Sequence, residues 1–164
     1  MKIAILGSGG REHAITFLVS KSKKSKKIYC IPGNAGTSEL AENINIDIND
    51  FKKIYSFIVE NKIDLVVVGP EDPLVNGIVD YLENLNIKVF GPNKIAAKLE
   101  GSKIFTKKIC ENYNIPTAKF KVYENEEDSK KFINDARYPL VVKADNLAAG
   151  KGVYICKNKK ESYK

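Results

Sequence analysis

The sequence is poor in residues on which several classes of protein depend. It has one histidine and three widely spaced cysteines, Cys30, Cys110 and Cys156, with no C-x-x-C pair. These counts argue against a disulfide scaffold and against a Cys/His zinc site, so we expect three reduced thiols. No apolar run approaches the roughly 18 residues that a membrane helix needs, and the N-terminal apolar stretch is too short for a signal peptide. We therefore expect a cytoplasmic protein with no membrane partner.

Arginine is also scarce. Only Arg11 and Arg137 stand among 27 basic residues, although the net charge is +7. Much of the excess comes from "KSKKSKK" (residues 21–27), which falls between a predicted helix and a predicted strand. A nucleic-acid reader would add aromatic platforms or an arginine-rich helix, and this run has neither. We interpret the run as a solvated turn and expect no nucleic-acid partner.

Apolar residues make up 43% of the 164-residue chain, enough for a core in one domain or one domain with part of another. The first hundred residues alternate short apolar strands with amphipathic helices, which predicts an α/β fold with a Rossmann-like parallel sheet. The strands are predicted at "KIAIL", "KIYCI", "INID", "DLVVVG" and "KVFG", and the helices at residues 12–20, 50–61 and 74–84. Asp50 is the predicted N-cap of the second helix.

The pattern changes after "FGPN". A helix at residues 102–113 is predicted to end before Pro116, followed by a strand "KFKVY" and a charged helix at residues 124–136. Two further strands, "PLVVKA" and "GVYIC", are joined by a glycine-rich loop, and "KKESYK" reads as a helix cut after its first turn. We therefore predict a complete domain at residues 1–100 and the first, incomplete part of another at residues 101–164.

The first predicted ligand loop is "GSGGREHA", between strand one and its helix. Glycines allow close backbone approach, the helix N-terminus favours an anion, and Arg11 adds a fork suited to phosphate. A dinucleotide fingerprint is incomplete, because Glu12 replaces its third glycine and Pro32 stands where an acidic residue should hold the ribose. The loop therefore favours a smaller phosphate ligand over NAD. His13, inside the first helical turn, is weak evidence by itself.

Two more loops, "PGNAGT" and "GPEDPLVNG", follow strands two and four. Loops at the carboxyl ends of parallel strands face one crevice, so Arg11, Asn34, Glu71 and Asp72 are predicted to converge on one ligand. Taken singly, each loop also fits ordinary turn chemistry.

The last glycine-rich loop lies in "KADNLAAGKGV" (residues 143–153). It is no Walker loop, since Asp145 stands in the glycine position and Gly152 follows Lys151. A lysine at the end of a strand, Lys143, before a glycine-spaced flap is typical of sites in which the lysine pairs with nucleotide phosphates. The alternative is a tight hairpin.

Six ordered segments together resemble one family. They are "GSGGREHA", "PGNAGT", "VVVGPEDPLVNGIVDYL", "FGPNKIAAKLEGSKIFTK", "NIPTA" and "YPLVVKADNLAAGKGV". The chain is identified by them as a member of the glycinamide ribonucleotide synthetases of the ATP-grasp superfamily. The resemblance implies a ligase that joins 5-phosphoribosylamine to glycine with ATP and Mg²⁺, through glycyl phosphate, in purine biosynthesis. "GGREHA" and "GPEDPLVNG" favour it over other purine-pathway ATP-grasp ligases.

The resemblance also implies roles for particular residues. The sugar phosphate would lie near Gly9, Gly10, Arg11, Asn34, Glu71 and Asp72, and ATP phosphates near Lys103 and Lys143 under a loop with Gly150, Lys151 and Gly152. The family usually has glycine in place of Asn146 in that loop. No catalytic side chain is assigned, and the Mg²⁺ ligands are expected beyond residue 164.

Members of the family are more than twice this length. We expect these 164 residues alone to bind a ribose phosphate weakly, without making glycinamide ribonucleotide, and to be monomeric. Two other interpretations stay open at this point: a non-catalytic module that binds a sugar phosphate or a nucleotide, and a Rossmann dehydrogenase.

Overall fold

The computed structural model describes residues 1–145, 147 and 151–163. They divide into two compact units, Met1–Lys98 and Leu99–Lys164. None of the helices in these described ranges is long and apolar enough to cross a membrane.

The first unit is built on a parallel five-stranded sheet of order β3-β2-β1-β4-β5. Its strands are β1 (Lys2–Gly7), β2 (Lys27–Pro32), β3 (Glu42–Asn43), β4 (Leu65–Val68) and β5 (Val89–Phe90). Its helices are α1 (Gly10–Ser20), α2 (Phe51–Asn61), α3 (Glu71–Asn76) and α4 (Ile78–Glu83), and α5 (Lys94–Gly101) includes the boundary between the units. The predicted α/β fold with a Rossmann-like parallel sheet is confirmed.

Strand β1 is buried on both faces of the sheet. Ala4 and Leu6 belong to one apolar cluster, with Ile54 of α2, whereas Ile3 and Ile5 belong to another. This alternation follows from the two-residue period of a strand, and burial on both sides is why β1 is apolar without interruption. The carboxyl end of β1 is therefore held firmly in the middle of the sheet.

The prediction for strand three was wrong. "INID" was predicted as the strand, but β3 is Glu42–Asn43 and residues 44–47 are irregular. The Ile44 amide still donates to the Cys30 carbonyl at 2.9 Å. The next bond in a parallel ladder would need an amide N–H at Pro32, which proline lacks, so the pairing stops there.

The single helix predicted at residues 74–84 was also wrong. Helix α3 runs from Glu71 to Asn76, its C-cap Gly77 adopts φ 93° and ψ 30°, and α4 begins directly after that glycine. A glycine in this left-handed conformation is a common helix C-cap. In contrast, the predicted cap of α2 is confirmed, because the Asp50 side chain accepts a hydrogen bond from the Lys53 amide at 3.0 Å.

The second unit combines helices with a two-stranded antiparallel sheet. Its elements are α6 (Lys103–Asn112), α7 (Glu126–Asp135), β6 (Leu140–Lys143), β7 (Val153–Cys156) and α8 (Lys159–Ser162). The predicted strand "KFKVY" was wrong, since residues 119–123 are irregular. Within the described ranges β6 and β7 pair only with each other. Residues 119–123 therefore have no described strand beside them that could accept or donate their backbone hydrogen bonds.

Candidate functional site

Three loops meet at the carboxyl edge of the first sheet. They follow β1, β2 and β4, and β1 lies between the other two strands. The strand order reverses between β1 and β4, since β2 and β3 extend the sheet on one side and β4 and β5 on the other. In open parallel sheets such a switch point forms a crevice outside the strand ends, and ligands bind there.

Arg11 joins the β1 loop to the β4 loop. Its Nη1 donates to the Gly69 carbonyl at 2.5 Å, and its Nη2 forms an ion pair with Oε1 of Glu71 at 2.6 Å. This hydrogen bond, together with the bond that Glu71 accepts from its own backbone amide, lowers the pKa of the Glu71 carboxyl. The two side chains are 55% and 38% exposed, so the pair orients Arg11 more than it stabilises the fold.

Asn34 joins the β2 loop to the β1 loop. Its Nδ2 donates to the Ser8 carbonyl at 2.9 Å and to the Gly9 carbonyl at 3.3 Å. Its Oδ1 accepts from the Thr37 amide at 2.9 Å. The nitrogen and the oxygen of the Asn34 side-chain amide therefore both have protein partners, and these bonds hold the two loops together.

Gly10 and Asp72 complete the predicted sugar-phosphate residues. Gly10 is the first residue of α1, and a Cβ added there would meet no atom within 4 Å, so the space beside it, where a side chain would lie, is open. Asp72 lies in the first turn of α3 and accepts from Nδ2 of Asn49 at 2.7 Å. The structure thus brings Gly9, Arg11, Asn34 and Glu71 together and joins Asp72 to a neighbouring amide.

Asn49 also lines a surface depression of about 690 Å³ between the start of α2 and Tyr81. None of the predicted site residues lines it. The loop edge suits an anionic ligand better, because Arg11 lies there in the first turn of α1, whereas the N-terminus of α2 at this depression is already capped by the Asp50 carboxylate.

Glu12 is a site residue that sequence reasoning missed. It is 4% exposed, and its Oε2 accepts from the Gly9 amide at 2.6 Å, so the Glu12 side chain caps the N-cap amide at the start of α1. The pattern Gly9-x-x-Glu12 carries this signal, since a glutamate three residues after an N-cap can reach back to its amide. Comparison with a dinucleotide fingerprint marks Glu12 only as a missing glycine.

Thr37 was missed as well. It is fully buried, and its hydroxyl accepts from the Asn34 backbone amide at 2.7 Å and donates to Oδ1 of Asn43 at 2.8 Å. It fixes the "PGNAGT" loop from beneath. The loop also lies against the ring of His13, because a Cβ added at Gly36 would fall 3.0 Å from His13 Cε1.

The predicted ATP residues lie in the second unit. Lys103 is the first residue of α6, and Lys143 ends β6 opposite Val153. Lys151 is exposed, whereas Gly152 is buried and its carbonyl accepts from the Ala144 amide at 2.8 Å. Gly150, also predicted, and Asn146 lie outside the described residues.

Asp145 links the end of β6, which carries Lys143, to the start of α6, which carries Lys103. Its Oδ2 accepts from the Ser102 hydroxyl at 3.0 Å and its Oδ1 from the Ile104 amide at 3.2 Å. The loop after Lys143 is therefore bonded to the N-terminal turn of α6, which begins with Lys103. Spacing alone marks Asp145 only as the residue that breaks a Walker loop, so this role required the structure.

Two family models match the chain. The phosphoribosylglycinamide synthetase N domain matches residues 1–100, and the ATP-grasp (A) domain of the same synthetase matches residues 101–164. The chain belongs to the phosphoribosylglycinamide synthetase family. The resemblance seen in the six sequence segments is thereby confirmed.

Curated proteins agree with the phosphoribosylglycinamide synthetase assignment. A phosphoribosylamine–glycine ligase of Caldanaerobacter subterraneus subsp. tengcongensis is 50% identical over 158 residues, which are 96% of this chain and 38% of that relative. One of Mesorhizobium japonicum is 49% identical over 162 residues, with 99% and 38% covered. The chain thus spans somewhat more than a third of the length of these relatives.

Solved structures include a member of the same family and also enzymes outside it that share the fold. The phosphoribosylamine–glycine ligase of Thermotoga maritima superposes with a TM-score of 0.79 at 36% identity, over 99% of this chain and 37% of that one. N5-carboxyaminoimidazole ribonucleotide synthetase from Thermotoga maritima reaches a TM-score of 0.74 at 22% identity, over 99% of this chain and 43% of that one. At this identity the second likeness shows the fold alone.

Proposed function

We propose that this phosphoribosylglycinamide synthetase chain takes part in the ATP-dependent joining of 5-phosphoribosylamine to glycine. The products are glycinamide ribonucleotide, ADP and phosphate. The relatives' names support this reaction, and the observation that carries the binding role is the joining of three loops by Arg11 and Asn34 at the β1–β4 switch point. In this proposal the first unit binds the sugar phosphate and the second binds ATP.

The first unit supplies what a sugar phosphate needs. The phosphate lies in the open space beside Gly10, where the first amides of α1 and the positive end of the helix dipole favour an anion. Arg11 lies beside it, oriented by its bonds to Gly69 and Glu71. Gly9 and Asn34 shape the wall of the loop, and Asp72 with Glu71 offers oxygens to sugar hydroxyls.

The second unit supplies cations for ATP. Lys103 and Lys143 are held in one part of the unit through Asp145, and Lys151 with Gly150 and Gly152 belongs to the covering loop. In the reaction a glycine carboxylate oxygen attacks the γ-phosphorus and ADP leaves. The ribosylamine nitrogen then attacks the carbonyl of glycyl phosphate, phosphate leaves, and the nitrogen loses a proton. The lysines act by positioning the phosphates and neutralising their charge.

Mg²⁺ belongs to the proposed reaction because it neutralises the phosphate oxygens of ATP. The biotin carboxylase domain of a Hydrogenobacter thermophilus 2-oxoglutarate carboxylase, 19% identical to this chain, has been solved with MgADP. Over residues 1–145, 147 and 151–163, no group of three His, Cys, Asp or Glu side chains can hold a metal ion. Mg²⁺ therefore has no assigned ligand in this part of the chain.

Arg11→Ala in the full-length protein tests the sugar-phosphate site. Loss of a charge-assisted contact of roughly 1.5 to 3 kcal/mol should raise the KM for phosphoribosylamine about 10-fold or more. The KM values for ATP and glycine should stay unchanged. Steady-state assays of ADP release at varied concentrations of each substrate measure all three.

Arg137→Ala is the matched control, because Arg137 is the other arginine of these 164 residues and is exposed in the second unit. It should leave the KM for phosphoribosylamine unchanged. An unchanged KM in Arg11→Ala would remove Arg11 from the site. A full-length protein that released no ADP with phosphoribosylamine and glycine would overturn the proposed reaction itself.

A further inference from the structure

Glu12 places a buried carboxylate in the middle of the loop edge. Its side chain occupies the space beside Gly7, Gly9 and Gly69, and a Cβ on any of these glycines would overlap its carboxylate end. Gly7 ends β1, Gly9 lies in the loop after it and Gly69 follows β4, so the three glycines come from the two sides of the switch point. Glycines on both sides of the crevice therefore make room for one charged group.

The two oxygens of this carboxylate have different surroundings. Oε2 accepts from the Gly9 amide, whereas Oε1 lies next to Gly69 and accepts no hydrogen bond from a described residue. In the described ranges, every side-chain oxygen or nitrogen that is fully buried has a hydrogen-bond partner. Because Oε1 has none, it is not fully buried and contacts solvent. A side chain that is 96% buried thus presents one unused acceptor oxygen to the crevice between β1 and β4.

We propose that Glu12 is a ligand-contacting specificity residue, whose Oε1 accepts a hydrogen bond from a hydroxyl or amine of the sugar moiety. This inference rests on the proposed function, because it requires a sugar phosphate at this edge. An ionised carboxylate only accepts hydrogen bonds and repels a phosphate. The sugar therefore faces Glu12, and the phosphate lies farther out, toward Gly10 and Arg11.

The same charge accounts for the ligand class. A dinucleotide loop receives its pyrophosphate against the glycines at the start of the helix. Here the Gly9 amide is already bonded to Glu12, and a pyrophosphate in that position would lie against the carboxylate. Glu12 thus selects a ligand with one terminal phosphate and a donor-bearing sugar.

Glu12→Gln separates ligand contact from helix capping. The glutamine carbonyl oxygen can still accept from the Gly9 amide, so the bond that caps this amide is kept. The unused acceptor becomes an NH₂ donor, and the negative charge is lost. Glu60→Gln is the matched control: Glu60 is exposed near the C-terminal end of α2, at the opposite edge of the sheet, where Lys2 Nζ donates to the Asn61 carbonyl at 2.9 Å.

Isothermal titration calorimetry of the full-length protein, with ribose 5-phosphate and with inorganic phosphate as probes, tests the proposal. Glu12→Gln should bind ribose 5-phosphate at least about 10-fold more weakly, whereas inorganic phosphate should bind equally or more tightly because a nearby negative charge is removed. Glu60→Gln should match the wild type with both probes. In a second measurement, the carboxyl ¹³C resonance of Glu12 in the wild-type protein should shift with ribose 5-phosphate and not with inorganic phosphate.

The outcomes distinguish this inference from the proposed function. One outcome is that the wild type binds ribose 5-phosphate while Glu12→Gln binds it with equal affinity, or binds both probes more weakly by the same factor. In either case Glu12 is only a cap and the proposed function stands. An unmoved Glu12 resonance in the presence of ribose 5-phosphate overturns the inference even where the variant fails to fold. A wild-type protein that binds no ribose 5-phosphate overturns the proposed sugar-phosphate site and this inference together.

Discussion

The two units bury similar strand sequences to very different degrees. In the first unit the strand "LVVV" of β4 has Val66, Val67 and Val68 buried, whereas in the second "LVVK" of β6 leaves Val141 47% exposed. Nearly all buried apolar side chains belong to the first unit. Strand sequence alone therefore does not decide burial; the elements that cover each face do.

The difference matters for the two proposed sites. The loops that hold Arg11 and Asn34 follow strands buried between two layers of helices. Lys143 ends a strand of a two-stranded sheet whose apolar side chains include Tyr154, 62% exposed, and Ile155, 69% exposed. The loops proposed for the sugar phosphate are thus fixed by a core, whereas in these 164 residues the lysines proposed for ATP depend on local contacts such as those of Asp145.

The largest expected difference comes from one substitution made in each sheet. Ile5→Ala removes a side chain that is 0% exposed in the central strand, and it should lower the free energy of unfolding by about 2 to 5 kcal/mol. In the 164-residue chain, Ile155→Ala in β7 should change it by less than about 0.5 kcal/mol, because that side chain is 69% exposed there. Urea unfolding followed by circular dichroism measures both values, and equal losses would contradict the comparison.

A pair of glycine substitutions tests the loop edge, with an expected change in the free energy of unfolding that is intermediate in size. Gly69→Ala would place a methyl group against the carboxylate of Glu12, so we expect a loss of about 1 to 3 kcal/mol in the free energy of unfolding. Gly10→Ala meets no atom within 4 Å and should be neutral or slightly stabilising, since alanine favours the helix.

Chemical denaturation of both variants measures these changes, and the same measurement on the wild type is the reference. If Gly69→Ala were as stable as Gly10→Ala, the Glu12 side chain would have another accommodating position. The close packing of the β1 and β4 loops around it would then be wrong.

Much of the first unit could be predicted from its sequence because its signals are local. The apolar runs of β1, β2 and β4 and the cap at Asp50 each reflect a short period or a single side-chain contact. The convergence of Arg11, Asn34 and Glu71 on one edge follows from parallel strands alone. Their roles toward a ligand stay predictions, since no ligand contact tests them.

The failures had non-local causes. Strand β3 ends where a proline on its neighbour lacks an amide, and among the residues that the structure describes no strand pairs with residues 119–123. Glu12 and Asp145 escaped because each reads as a broken fingerprint in sequence. Their partners, Gly69 beside Glu12 and Ser102 beside Asp145, lie more than 40 residues away along the chain.

The smallest expected effect concerns ion pairs, where the two units should behave alike. Arg11 lowers the pKa of Glu71, and in α7 a hydrogen bond from Lys130 lowers the pKa of Glu126. A carboxyl whose pKa is lowered by folding contributes stability above its unfolded pKa and loses it as the pH falls through the folded pKa. Both contributions should therefore be present at neutral pH, decline as the pH falls below the ordinary glutamate pKa of about 4.3, and vanish once it passes the lowered folded pKa.

We therefore expect Glu71→Gln to lower the free energy of unfolding at pH 7 by at most about 1 kcal/mol, because the pair is exposed. The difference from the wild type should shrink as the pH falls toward 3, and it should be absent in an Arg11→Ala background. Glu126→Gln should show the same sign with a smaller size. Urea unfolding between pH 3 and 7 measures each difference. A Glu71 effect that grew in acid would mean that burial in the first unit extends to this edge and raises the pKa, since only an uncompensated buried carboxyl gains stability on protonation.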